Sequence, residues 1–218
     1  MSLALVCTIL FSMMSVGVSA NTTVSMDNSF ATASFSTFSD VAGYDYIEVA
    51  TLGNGSTVTF KHFTNDVNGR SAVEVTEANG VVTLVELDPN TYDIYLDGEK
   101  VNVVTTYPAG GVSPAGTSVG WHESAGGPVE QNYEMINFTV ATLAAAIAKF
   151  TKGPVSGIAS AVAFLFGRTD WCSAKKWVYL NYTDYNYKVG SYIHAEVYDA
   201  ANCSGKMVYQ YTTPVTVR

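Results

Sequence analysis

The stretch "GWHESAGG", residues 120–127, sets His122 beside Glu123 among glycines, a pair able to hold zinc or to move a proton. A zinc-binding helix needs a second His four residues from the first, and this stretch has none. "GTSVG", residues 116–120, has the outline of a nucleophile elbow, but Ser118 lacks the strand–turn–helix setting that would expose its hydroxyl. His62, His122 and His194 are scattered, and Cys172 and Cys203 do not share ligand spacing with them. Neither of these cysteines sits in the setting of a nucleophile. The sequence therefore predicts no catalytic residue, no metal site and no cofactor. In an exported chain the two cysteines read as one disulfide, Cys172–Cys203. Closing a loop of about 30 residues would stabilise the fold by roughly 3–4 kcal/mol in the chain-entropy model.

A second group of residues has the chemistry of a membrane contact. Trp171 and Trp177 flank Lys175 and Lys176, a cationic and aromatic cluster suited to anionic headgroups. Lys149 and Lys152 fall in the middle of the chain's most apolar run, which ends in Phe164, Leu165 and Phe166. Each Lys near an anionic surface contributes about 1 kcal/mol. Base stacking on the aromatic residues is the competing chemistry. So few basic residues in an exported chain argue against nucleic acid.

These residues must be positioned by the run itself, 139–166. It divides into two helical candidates, 138–150 and 155–166, with Asn137 as N-cap of the first. Gly153 is the expected C-cap and Pro154 suits the first turn of the second helix. At 1.5 Å per residue each helix is about 18–20 Å long, short of a hydrocarbon core of about 30 Å. The pair is predicted to be an αα-hairpin with Lys149 and Lys152 at a solvent-reached tip. It is apolar nearly all round, as in a helix buried in a large core or one in lipid. Gly153, Gly157 and Ala161, and Ser156 and Ser160, follow the small-xxx-small spacing that permits close helix approach in lipid. The same residues permit tight packing in a water-soluble core, and both readings stand at this level.

Residues 1–20 are apolar and end in Val18-Ser19-Ala20, which fits a signal peptide cleaved before Asn21 and a secreted, extracellular protein. Cys7 would leave with it, too early and too poorly flanked for lipidation. Residues 21–43 are Ser/Thr-rich and read as a flexible N-terminus. From 44 to 107, short β-branched and aromatic runs alternate with Asn-Gly and Asp-Gly turns, the pattern of an acidic antiparallel β-meander. Residues 108–131, dense in Gly and Pro, read as a linker. The remainder, 132–218, reads as a module of the αα-hairpin and a small Tyr-rich antiparallel sheet, closed by the disulfide. The fold class expected is α+β.

Net charge over the 218 residues is −8, unevenly divided. Residues 21–137 hold fifteen acidic against three basic side chains, and residues 138–218 hold eight basic against four acidic. The acidic half disfavours anionic partners and the cationic half favours them.

With "VEVTEANGVVTLVEL", "YDIYLDGEKV", "VGWHES", the hairpin "TVATLAAAIAKFTKGPVSGIASAVAFLFG" and the tail "WVYLNYTDYNY", the chain resembles the secreted geobacillin-like proteins of Gram-positive bacteria. These are large, unmodified bacteriocin-like polypeptides, and the resemblance covers nearly the whole mature chain. It implies an antimicrobial, membrane-active protein and brings no catalytic motif. The expected function is action on an anionic target membrane through the hairpin and the cationic-aromatic module, with no small-molecule cofactor. No immunity protein or receptor is identified by the sequence. The alternative, from a different class, is a secreted structural or adhesive protein of the cell envelope in which the hairpin never leaves the core.

Overall fold

The computed structural model of the chain describes residues 28–107, 119–124, 127–183 and 187–217. The expected signal peptide, Ser118 and much of the expected linker lie outside these residues. The fold is α+β, with two helices and two antiparallel sheets.

The first sheet is a meander in strict chain order. It comprises β1 (Ser34–Ser39), β2 (Tyr46–Thr51), β3 (Thr57–Thr64), β4 (Ser71–Thr76), β5 (Val82–Leu87), β6 (Ile94–Leu96) and β7 (Glu99–Lys100). Alternation sets its two faces. In β3, Val58, Phe60 and His62 are buried, while Lys61 points outward to pair with its cross-strand neighbour Glu74 at 2.7 Å. Turn chemistry fixes the register. At the β4–β5 turn Asn79 Oδ1 accepts the Val81 N–H at 2.9 Å, and Gly80 takes φ +84°, a conformation costly for other residues.

The second sheet comprises β8 (Val103–Thr106), β9 (Gly120–Glu123), β10 (Val129–Glu134), β11 (Trp171–Tyr182), β12 (Lys188–Tyr198), β13 (Met207–Thr212) and β14 (Thr216–Val217). Its main order is β13-β12-β11-β10-β8, with β9 beside β11 and β14 beside β12. Three of its strands precede the helices in the chain. The expected linker thus contributes β9 and the start of β10, and β8 leaves the meander to pair with β10.

Between the sheets lie α1 (Val140–Thr151) and α2 (Val155–Leu165). Thr139, not Asn137, caps α1: Thr139 Oγ1 accepts the Thr142 N–H at 3.2 Å and Thr142 Oγ1 accepts the Thr139 N–H at 2.9 Å. Asn137 belongs to a short 3-10 turn just upstream. At the other end Lys152, not Gly153, takes the left-handed conformation (φ 58°), and Pro154 is the N-cap of α2. Every residue of α1 except Lys149 is buried, with β4 and β5 on one side and β11 and β12 on the other. Its five alanines are strong helix formers with little bulk, so both sheets approach closely.

One apolar cluster runs through all three layers. It joins Phe60, Val73 and Val85 of the meander to Leu143, Ile147 and Phe150 of α1 and to Tyr133, Cys172, Ala174 and Val197 of the second sheet. The expected division at 108–131 is therefore not a boundary between separate cores. The Gly and Pro density that suggested it reports local backbone freedom, whereas neither half covers the apolar helices alone.

Two further expectations are corrected. Within residues 21–43, Phe30 is buried against α2 and residues 34–39 form β1. Cys172 and Cys203 are free thiols. Cys172 faces the helices, while the next side chain, Ser173, faces the opposite way, where its hydroxyl accepts the Cys203 N–H at 3.0 Å. The two thiols thus belong to opposite faces of β11, because side chains alternate along a strand. Burial pushes the Cys172 thiol pKa up to about 12, which suppresses its thiolate.

Candidate functional site

The most unusual chemistry lies in a cleft at the C-terminal end of α1. Alternation along β2 and β3 brings Tyr46, Glu48 and His62 to one inward face. Tyr46 and His62 are direct cross-strand neighbours, their rings stacked 4.0 Å apart and 13° from parallel. His62 Nε2 lies 3.0 Å from Glu48 Oε2, within ion-pair reach. The alignment is poor, however, and both ring nitrogens of His62 are buried without a hydrogen-bond partner. Burial lowers the His62 pKa, so the ring is held neutral despite the pull of Glu48.

Above this pair, the last turn of α1 supplies Lys149 and Lys152, and β11 supplies Lys176. The cavity they border with Tyr46, His62 and Tyr92 has a volume of about 390 Å³. Lys176 is 4% exposed; its ammonium donates to the Phe150 carbonyl at 3.0 Å and lies 3.8 Å from the Tyr92 ring centroid. Burial lowers its pKa to about 7, and repulsion from Lys152 adds to the effect. Lys149 falls to about 8, again by burial, which Asp45 and Glu48 oppose. Burial and the same two carboxyl groups raise Tyr46 to about 12.

The free end of α2 forms a second feature. Ile136 is 86% exposed and Phe164 is 51% exposed. Phe166, Arg168 and Trp171 join Ile136 around a groove of about 860 Å³. The Arg168 guanidinium stacks 3.9 Å from the Phe164 ring centroid. The third feature is the face of the second sheet turned from the helices. Tyr179 and Tyr192 stack there at 4.7 Å, Trp121 joins Tyr192 at 4.9 Å, and Trp177 meets His194 at 5.3 Å. Lys175 lies beside this row, 2.8 Å from Glu130 and 5.2 Å from the centre of Trp177.

The residues expected to meet a membrane are therefore divided among three places. Lys149 and Lys152 are at the hairpin tip, with Lys152 exposed and Lys149 largely enclosed. Lys176 is buried beside them and Leu165 is buried in the core, so neither meets solvent in this fold. Phe164, Phe166 and Trp171 gather at the opposite end of α2, about 16 Å away at helical rise. Lys175 and Trp177 lie on the open sheet face. His122 and Glu123 are successive residues of β9 and so point to opposite faces. Among the described residues, no three His, Cys, Asp or Glu side chains are grouped as a metal site.

Sequence reasoning missed Tyr46, Glu48 and His62. The available signal was position: His62 continues the Val58–Phe60 alternation of β3, which places an imidazole on a buried face.

No protein-family model matches the chain, and neither curated proteins nor solved structures give a match. Among the described residues no helix is long and apolar enough to cross a membrane.

Proposed function

We propose that this chain is a secreted, bacteriocin-like protein without catalytic activity that acts on the anionic membrane of a target cell. The observation that carries the reading is the apolar end of α2, where Ile136 and Phe164 stand exposed beside Phe166, Trp171 and Arg168. Exposed apolar clusters of this kind mark interaction sites, and an aromatic side chain next to a cation suits the headgroup level of a bilayer. In this account the two sheets keep the hairpin soluble, and contact begins at the end of α2. Separation of α2 from β13 then frees the hairpin, with its apolar surface passing from protein to lipid. The resemblance to geobacillin-like proteins supports the same reading. Release of an encapsulated dye from phosphatidylglycerol-containing vesicles by the full chain tests it; no release at any protein-to-lipid ratio would remove it.

The second reading, an adhesive protein of the cell envelope, is favoured by the Trp121–Tyr192–Tyr179 row and by Trp177 on the open sheet face. Flat aromatic rings on a rigid sheet suit the apolar faces of sugar rings. Co-sedimentation of the chain with purified cell-wall polysaccharide, lost in a Trp177→Ala/Tyr192→Ala variant, is the result that reading requires.

A further inference from the structure

We infer that the cleft at the C-terminal end of α1 binds a phosphate group, held by Lys149, Lys152 and Lys176 with a further hydrogen bond from His62. The inference stands on unspent hydrogen-bonding capacity. An ammonium carries three donors. Among the described residues, only Lys176 of the three lysines has a hydrogen bond, to the Phe150 carbonyl. Among the described residues, Lys149 and Lys152 have neither a hydrogen-bond nor an ion-pair partner. His62 is 1% exposed; its Nε2 faces the Glu48 carboxylate at 3.0 Å in poor alignment, and its Nδ1 has no hydrogen-bond partner, an uncommon and costly condition for a buried polar side chain. These groups border one cavity of about 390 Å³, with room for a phosphate and part of what it is attached to.

Charge favours the same ligand. Lys152 repels Lys176, and burial of Lys176 withholds the water that would screen its charge. An oxyanion between them relieves both costs, and Lys is an established point-charge partner of phosphate. The groups opposing an anion are Glu48 and Asp45, which face Lys149 from the β2 side, and the negative end of the α1 dipole, about half a charge. The phosphate can come from a free phosphate ester or from a phospholipid headgroup, and the inference does not depend on membrane activity.

The test uses the full chain in two arms. Inorganic phosphate, titrated near pH 6.5, below the pKa values of Lys149 and Lys176, should bind saturably, moving the side-chain NMR resonances of Lys149, Lys176 and His62 together. Lys152→Gln, at an exposed position, should keep the native melting temperature and weaken binding about tenfold, the loss of roughly one charge-assisted contact. Vesicles of phosphatidylcholine with and without phosphatidylglycerol form the second arm. Binding to the anionic vesicles that inorganic phosphate competes away assigns the headgroup, and saturable phosphate binding without vesicle binding assigns a free ester. Either supports the site. No saturable phosphate binding by the native chain, or binding unchanged in Lys152→Gln, overturns it.

Discussion

Lys176 Nζ donates to the carbonyl oxygen of Phe150 at 3.0 Å, so a side chain from β11 closes the end of a helix 26 residues earlier in the chain. The last four carbonyls of a helix lack intrahelical partners, and a cation there meets the negative end of the dipole. The same contact holds an ammonium in a nearly dry setting, which has consequences for stability.

Because the Lys176 pKa is about 7 in the folded chain and near 10.4 when unfolded, the unfolded state binds more protons between those values. Stability should therefore rise with pH from about 7 to about 9, by up to about 1.4 kcal/mol per pH unit from this group. Lys149 adds to the rise from about pH 8. Urea denaturation across that window checks this, and Lys176→Met should remove about one proton's worth of slope. Equal slopes in the two proteins would mean Lys176 is not desolvated as described.

Gly157 lies against the ring of Tyr209, where an added Cβ would sit 2.4 Å from Cε2. The small residues of α2 thus serve its docking on β13, and Ser160 Oγ donates to the Phe30 carbonyl at 3.3 Å. Gly157→Ala should cost about 1–3 kcal/mol by overpacking, despite the better helix propensity of Ala. Tyr209→Ala in the same chain should recover part of the loss, measured as coupling in a double-mutant cycle. Strict additivity would contradict the packing.

The cysteines should behave as two unlike thiols. Iodoacetamide should label Cys203 in the folded protein, while Cys172, buried and with its pKa raised to about 12, should react only after unfolding. Mass spectrometry after native and denaturing alkylation reads this directly. A species two hydrogens lighter that labels at neither site would restore the disulfide.

Much of the fold was legible because local chemistry and tertiary demand agree. Asn79-Gly80 and Asp97-Gly98 both mark real turns, and the hairpin's ends fall within two residues of their expected places. The rest depended on long-range partners. The strand "SFSTFS" has exposed polar residues on both faces of a sheet edge, so no alternation betrayed it. β9 and β10 pair with β11, which the chain reaches only after both helices, and the Gly- and Pro-rich sequence around them hid them. The disulfide failed on parity: a spacing in sequence says nothing about which face of β11 each thiol occupies. The lysines were singled out as membrane contacts, whereas the cleft that groups Lys176 with Lys149 needs Tyr46 and His62 from the far sheet.

The central claim is that the exposed end of α2 makes the first contact with a target membrane. Ile136→Asp/Phe164→Asp changes two exposed side chains and should leave stability within about 0.5 kcal/mol per site, as surface substitutions do. The measurement is dye release from phosphatidylglycerol-containing vesicles by wild type and variant at equal folded concentration. The account predicts release by the wild type and a loss of at least about tenfold in the variant, since two buried carboxylates oppose partition into an apolar phase. Equal release by the two proteins, or none by the wild type, would contradict it.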